Sequence, residues 1–119
     1  MRVAVLGASP NPERYSNKAI HMLLKFGHEV IPVNPAHKKI EGLEAVSSLK
    51  NISKPIDTVT VYVGPAHIAP LIEDIVQVKP QRVILNPGAE SPELIDALTD
   101  AGISHLNACT LVMLSTGQF

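Results

Sequence analysis

Residues 2–16 have the sequence RVAVLGASPNPERYS, and this stretch decides the fold. The apolar segment 2–6 predicts a buried central strand, which Gly7 ends. A loop with two prolines follows, so we expect no regular helix before Ser16, the predicted N-cap of the first helix. A strand, a glycine turn and a helix together form the start of a βαβ unit.

Apolar runs of strand length alternate with helical patterns along the rest of the chain. Further strands are predicted at 29–33, 43–46, 57–63, 82–85 and 103–106. Helices are predicted from Ser16 to Gly27, over 66–78 and from Ser91 to Gly102, with short turns at 47–52 and 111–114. Right-handed crossovers then favour a Rossmann-like, doubly wound α/β fold: a parallel sheet of five to six strands, order 3-2-1-4-5 with the sixth at the edge, and helices on both faces.

Length and composition predict one domain over residues 1–119. The chain is 45% hydrophobic with no Trp, so its core consists mainly of Val, Ile, Leu and Ala, which suits a buried parallel sheet. Ten basic and eleven acidic residues leave no cationic field for nucleic acid. Without a long apolar run, a signal-peptide pattern or a second cysteine, we expect a cytoplasmic protein with no membrane partner.

Ligands of doubly wound sheets bind beyond the carboxyl ends of the strands, where the strand order reverses. Here that point lies between the loops 7–16 and 64–67, flanked by 34–35 and 86–88. A turn at Gly7 lets backbone N–H groups approach a phosphate, and the following helix N-terminus adds favourable partial charge. Ser9 and Ser16 offer hydroxyl donors. Because Ser9 and Pro12 replace the second and third glycines of G-x-G-x-x-G, the segment departs from the dinucleotide pattern.

The end of the second strand bears on which nucleotide binds. NAD sites usually have an acidic residue there, whereas this chain has Asn34 and Pro35. Without a carboxylate a ribose phosphate is easier to accommodate, and Lys38 or Lys39 could neutralise it. The alternative for either lysine is a solvated loop residue.

Several motifs together resemble a known family. They are Gly7-Ala8-Ser9-x-Asn11-Pro12, Gly27-His28-x-Val30-x-Pro32-Val33-Asn34-Pro35, Ile40-x-Gly42 and Pro87-Gly88-Ala89-Glu90-Ser91. They resemble the small stand-alone CoA-binding domain proteins, which are similar to the N-terminal Rossmann domain of the succinyl-CoA synthetase α subunit. Nearly the whole chain is covered by this resemblance.

The resemblance implies coenzyme A as ligand. Gly7, Ala8 and Ser9 would form the phosphate turn, with Arg14 as the basic residue near the first loop. Asn34 and Pro35 would lie beside the adenosine, and Val63 and Gly64 would line the other side. The phosphorylated histidine of the synthetase belongs to a second domain, so synthetase activity is not implied.

Two residues invite a catalytic interpretation. His67 follows the fourth strand and could donate to a phosphate or thioester carbonyl, although a surface histidine at a helix start is the simpler interpretation. Cys109 follows the last strand and is either a redox-sensitive thiol or a small buried residue. No histidine has metal-ligand spacing and no nucleophile–base set is present, so we assign neither metal nor catalytic residues.

The preferred hypothesis is therefore a module that binds CoA or an acyl-CoA without a catalytic domain of its own. Three alternatives stay open: an NAD(P)-binding or redox-sensing domain, an enzyme acting on a CoA ester through His67 or Cys109, and a partner subunit of a larger synthetase-like chain. Homo-oligomerisation is also open.

Overall fold

Five parallel strands form the central sheet of the computed structural model, which describes all 119 residues. The chain has seven strands, of which β3 and β4 form a separate two-stranded sheet: β1 (Arg2–Leu6), β2 (Glu29–Val33), β3 (Lys39–Ile40), β4 (Leu43–Glu44), β5 (Thr58–Val61), β6 (Arg82–Leu85) and β7 (Ser104–Asn107). The α-helices are α1 (Tyr15–Lys25), α2 (Ile72–Val78), α3 (Pro92–Asp100) and α4 (Thr110–Ser115). Short 3₁₀ helices occupy Leu49–Asn51 and Ala69–Leu71.

The sheet has the order β2-β1-β5-β6-β7, with β1 paired in parallel to both β2 and β5. The chain moves outward from β1 to β2, returns to β5 on the other side of β1, and continues to β7. This reversal confirms the Rossmann-like α/β fold. The carboxyl ends of β1 and β5 lie next to each other at the reversal point, where ligands of such sheets bind.

The predicted third strand, 43–46, is reduced to a single bridge to the sheet. Glu41 and Gly42 both have positive φ, +53° and +76°, which turns the chain into a β3–β4 hairpin. Only Val46 reaches β2: its N–H donates to Pro32 O at 3.0 Å, and its carbonyl accepts from Asn34 N at 2.9 Å. Leu43 and Glu44, which were expected to extend the central sheet, therefore pair with β3 in the hairpin. Val46 still lies beside the end of β2.

The predicted helix starts are partly correct. Ser91 is the N-cap of α3, and its Oγ accepts from Leu94 N at 3.2 Å. Ser16 as N-cap of α1 is wrong, because the extended residue before the helix is Arg14 and Ser16 is buried in the first turn. The helix predicted over 66–78 begins with a 3₁₀ turn around Pro70, and its α-helical part starts only at Ile72.

Alternation along the strands divides the core into two layers, one on each face of the sheet. Val3 and Val5 face the layer that contains Ile20 of α1 and Leu114 of α4. Ala4 and Leu6 face the opposite layer, which contains the buried side chains of α2 and α3. The sheet thus carries helices on both faces, as predicted. None of these helices has the length and hydropathy that crossing a membrane requires.

Candidate functional site

A crevice of about 570 Å³ lies across the carboxyl ends of the central strands. This volume is within the range of small-molecule sites, roughly 300–1,000 Å³. Its walls come from the segments that follow β1, β2, β5 and β6, from the start of α1, and from α2. The lining residues are Leu6, Gly7, Ala8, Ser9, Arg14, Tyr15, Ser16, Val33, Asn34, Pro35, Ser47, Ser48, Leu49, Tyr62, Val63, Leu71, Asp74, Pro87, Gly88 and Ala89.

Gly7 is required by both its backbone conformation and its surroundings. Its φ is +85°, which favours glycine, and a Cβ here would lie 3.0 Å from Val63 Cγ2 and 3.2 Å from the Tyr62 carbonyl atoms. The turn therefore packs directly against the end of β5. This close approach keeps the crevice open above the strands rather than filling it with a side chain.

The turn after β1 is joined to the end of β2 by hydrogen bonds. The N–H groups of Gly7 and Ala8 both donate to Val33 O, at 3.2 and 3.3 Å. In return, Asn34 Nδ2 donates to Ala8 O at 2.7 Å. The Asn34 amide is thus engaged in holding the turn, and the free N–H groups of the site begin only at Ser9.

The loop between Gly7 and α1 is held by its own polar side chains. Ser9 Oγ accepts from Asn11 N at 3.1 Å, and Asn11 Oδ1 accepts from Glu13 N at 3.0 Å. Beneath the loop, buried Asn17 donates to Ser9 O at 3.0 Å and to Glu41 Oε1 at 2.9 Å. These contacts order the long loop that replaces a compact glycine-rich turn.

The start of α1 provides hydrogen-bond donors and positive charge. The N–H groups of Ser9, Tyr15 and Ser16 have no acceptor within the protein. The first turn contains no acidic residue, and Arg14 precedes it without an ion pair. Together with the helix dipole, these groups favour a bound anion such as a phosphate.

A buried polar network supports the crevice beneath β5 and β6. Asn86 Nδ2 donates to Thr60 Oγ1 at 2.7 Å and to Val61 O at 2.9 Å, while its Oδ1 accepts from Thr110 N at 2.9 Å. The two threonine hydroxyls are 2.8 Å apart. This network orients the loop of Pro87 and Gly88 at the rim.

Tyr62 lines the floor of the crevice next to Val63. Its buried hydroxyl lies near the hydroxyls of Thr60 and Thr110 without a well-formed hydrogen bond to either, and burial raises the pKa of Tyr62 to about 12. The phenol is therefore neutral and able to donate at physiological pH.

A carboxylate lies on the side of the crevice that α2 forms. Ser48 Oγ donates to Asp74 Oδ2 at 3.1 Å and accepts from Lys50 N at 3.3 Å. Because Val46 is bridged to β2, residues 47–49 are held near the end of that strand. The crevice thus has an α1 side (Ser9 and Arg14–Ser16) with cationic character and an α2 side (Ser47–Leu49 and Asp74) with a negative charge.

The structure brings most of the predicted site residues together. Those that line the crevice are Gly7, Ala8, Ser9, Arg14, Ser16, Asn34, Pro35 and Val63. Three others lie outside the lining: Lys38, Gly64 and His67. Lys38 is exposed in the hairpin region, where its carbonyl accepts from Ala45 N at 2.9 Å. The exposed His67 belongs to a turn in which its N–H donates to Gly64 O at 3.0 Å.

The residues discussed as reactive groups also lie outside the lining. Cys109 is half-buried at the N-cap of α4, and His67 is exposed in the turn after β5. No group of three or more potential metal ligands is present.

Several lining residues escaped the sequence analysis, above all Ser48, Tyr62 and Asp74. Tyr62 had a usable signal, since it directly precedes Val63 at the end of a clear strand. Asp74 had none: an acid in the first turn of a helix is normally explained by the helix dipole alone. Ser48 lies in a segment without periodicity.

Known proteins match this chain along most of its length. It is 33% identical over 101 residues to the uncharacterized protein YneT of Bacillus subtilis, covering 85% of this chain and 75% of that protein. A crystal structure of an uncharacterized protein is 39% identical, with a TM-score of 0.88, and the match covers 99% of this chain and 97% of the other.

A more distant likeness concerns the fold alone. The dinucleotide-forming acetyl-coenzyme A synthetase 1 of Ca. Korarchaeum cryptofilum has a TM-score of 0.79 at 20% identity. The match covers 90% of this chain but only 25% of the synthetase chain. The model of the CoA binding domain matches residues 1–115. With this match over nearly its whole length, the chain belongs to the CoA-binding domain family.

Proposed function

We propose that this protein binds coenzyme A, or an acyl-CoA, in the crevice at the carboxyl ends of the strands. The diphosphate would lie on the α1 side, beside Ser9, Arg14 and Ser16. The adenosine would extend toward Asn34, Pro35 and the α2 side. Membership of the CoA-binding domain family supports this choice of ligand over other phosphate-bearing nucleotides.

One observation carries the proposal. Three lining residues of the same loop and helix start as Arg14, namely Ser9, Tyr15 and Ser16, have backbone N–H groups without an acceptor in the protein. Charge-assisted hydrogen bonds to ionised oxygens are stronger than bonds between neutral groups. A diphosphate provides enough anionic oxygens to use all of these donors.

The proposal is limited to binding. Among the lining residues, the titratable side chains are Arg14, Tyr15, Tyr62 and Asp74. No cysteine or histidine stands among them to act as nucleophile or as its base. A carrier or sensor of CoA needs no such group, and we propose that kind of role.

Isothermal titration of the full chain with CoA tests the proposal. We expect one site per chain and about a tenfold loss of affinity in Arg14→Ala, since a charged hydrogen bond to phosphate is removed. Lys25→Ala is the matched control: it removes a cation from the last turn of the same helix, outside the crevice lining. Absence of CoA binding at millimolar concentration would reject the proposal, and micromolar binding of NADH in its place would favour a dinucleotide site.

A further inference from the structure

Asp74 places a carboxylate in the crevice from a position in the chain where such an acid is not expected. The acid that commonly contacts the adenosine ribose in dinucleotide sites follows the second strand, where this chain has Asn34. Asp74 comes instead from α2, and its carboxylate is oriented by Ser48 at 3.1 Å. Since Ser48 follows the bridge between Val46 and Val33, the carboxylate lies on the same side of the crevice as the end of β2.

The charges of the lining residues define a polarity along the crevice. Arg14 and the free N–H groups lie on the α1 side, whereas Asp74 is the acidic residue of the lining and lies on the α2 side. In the orientation proposed above, with the diphosphate beside Arg14 and the adenosine toward the end of β2, the nucleoside lies next to this carboxylate. Lys38, the cation expected to neutralise a ribose phosphate, lies outside the lining.

We propose that Asp74 is a specificity-determining residue that accepts a hydrogen bond from a donor group of the adenosine and disfavours a phosphate on its ribose. This inference rests on the proposed function. An ionised carboxylate has only acceptor oxygens, so it complements a ribose hydroxyl or the exocyclic amine of adenine. The same charge repels a phosphate placed beside it.

The proposal reverses one expectation from the sequence. The absence of an acid after β2 favoured a ligand with an additional ribose phosphate. With Asp74 in the crevice, the ribose phosphate of CoA should contribute no affinity, so dephospho-CoA should bind at least as tightly as CoA.

Titration of the full chain with CoA and with dephospho-CoA tests this preference. In the natural protein, the dissociation constant for dephospho-CoA should not exceed that for CoA. In Asp74→Asn the dissociation constant for CoA, divided by that for dephospho-CoA, should fall about fivefold. The reason is that the repulsion between the carboxylate and the ribose phosphate disappears. The control is Glu73→Gln, which neutralises the preceding carboxylate; that side chain is exposed, bonded to Gln77 and outside the lining.

Several outcomes overturn the inference while leaving the proposed function intact. One is CoA binding tenfold tighter than dephospho-CoA in the natural protein, a measurement that requires no variant. Another is an unchanged ratio in Asp74→Asn, or the same change in Glu73→Gln. If neither ligand binds, the proposed function itself fails, which is a distinct result.

ADP analogues distinguish the two donor groups. IDP replaces the exocyclic amine by an oxygen acceptor, whereas 2′-deoxy-ADP and 3′-deoxy-ADP each lack one ribose hydroxyl. If IDP binds more weakly than ADP and Asp74→Asn removes that difference, the amine is the donor. The same pattern with either deoxy analogue identifies the corresponding hydroxyl. If all three analogues bind as tightly as ADP, the proposed hydrogen bond is wrong.

Discussion

The two sides of the crevice are built in different ways. The α1 side follows β1 directly in the chain and is joined to β2 by backbone hydrogen bonds from Gly7 and Ala8. The α2 side joins two distant segments, and a single side-chain hydrogen bond of 3.1 Å links Ser48 to Asp74 across 26 positions of sequence. The first is held by hydrogen bonds between backbone atoms, whereas the second combines that side-chain bond with the packing of buried Leu49 in the same apolar cluster as Ile75 of α2.

Substitution of Gly7 should produce the largest effect. We expect Gly7→Ala to lower the free energy of unfolding by about 3 kcal/mol, because the left-handed backbone is strained and the Cβ clashes with β5. Gly27→Ala has nearly the same φ, +83°, with nothing within 4 Å of its Cβ, so we expect a loss of only about 1 kcal/mol. Urea unfolding of both variants measures the difference. Equal losses would show that the packing against β5 contributes nothing.

Ionisation of Tyr62, on the floor of the crevice, should lower the free energy of unfolding at alkaline pH. The Tyr62 pKa is about 12 in the folded protein and near 10 in an unfolded chain. Folding thus favours the neutral phenol. The resulting contribution to the free energy of unfolding is fully present below pH 10 and is lost as the pH rises to 12. It amounts to about 2–3 kcal/mol.

In Tyr62→Phe, the decrease of the free energy of unfolding between pH 10 and 12 should be smaller by this contribution. Its stability at pH 7 should be equal or slightly higher, because the buried hydroxyl has no well-formed hydrogen bond. The control is Tyr15→Phe, which removes an exposed hydroxyl and should retain the alkaline loss. Thermal unfolding at a series of pH values provides the measurement; identical profiles for the two variants would contradict the assignment to Tyr62.

Removal of the Asn34 amide should have an intermediate effect. Asn34→Ala leaves Ala8 O without its donor and should cost about 1–2 kcal/mol of stability. It should also weaken CoA binding, since the turn before Ser9 loses its support. Asn51→Ala removes an exposed amide without a side-chain hydrogen bond and should change neither quantity. If CoA binding to Asn34→Ala were unaltered, the turn would not depend on this bond.

Substitution of Ser48 should have the smallest effect on stability. Ser48→Ala removes the hydrogen bond to Asp74 and the cap of a three-residue 3₁₀ helix, and we expect a loss of about 0.5–1 kcal/mol. The matched change at a longer helix, Ser91→Ala, should cost more, about 1–2 kcal/mol, because its bond to Leu94 N is buried. Chemical unfolding compares the two caps. A larger loss for Ser48→Ala than for Ser91→Ala would contradict this order and show that the bond to Asp74 contributes more to stability than a buried helix cap.

The part of the site that could be predicted lies directly after strands with clear local patterns, at Gly7–Ser9, Asn34–Pro35 and Val63. Gly7 and Ser9 were recognisable because a strand, a glycine and a helix start have local patterns, whereas Arg14 was implied by the family resemblance. The errors are equally local. Ser16 resembles an N-cap, yet the hydrogen bonds of the preceding loop start the helix one residue after Arg14. Residues 43–46 resemble a strand, yet the positive φ angles at Glu41 and Gly42 turn them into a hairpin.

The sequence by itself determined the alternation of strands and helices, the doubly wound order and the turn at Gly7, because apolar periodicity and glycine conformation depend on near neighbours. Only the tertiary structure decided that Lys38 and His67 stay outside the crevice and that Asp74 joins its lining. These placements depend on how far a hairpin extends and where a helix starts over the sheet. Such long-range packing leaves no periodic pattern in the sequence, so only the structure shows that Ser48 contacts Asp74 and that this carboxylate lines the crevice.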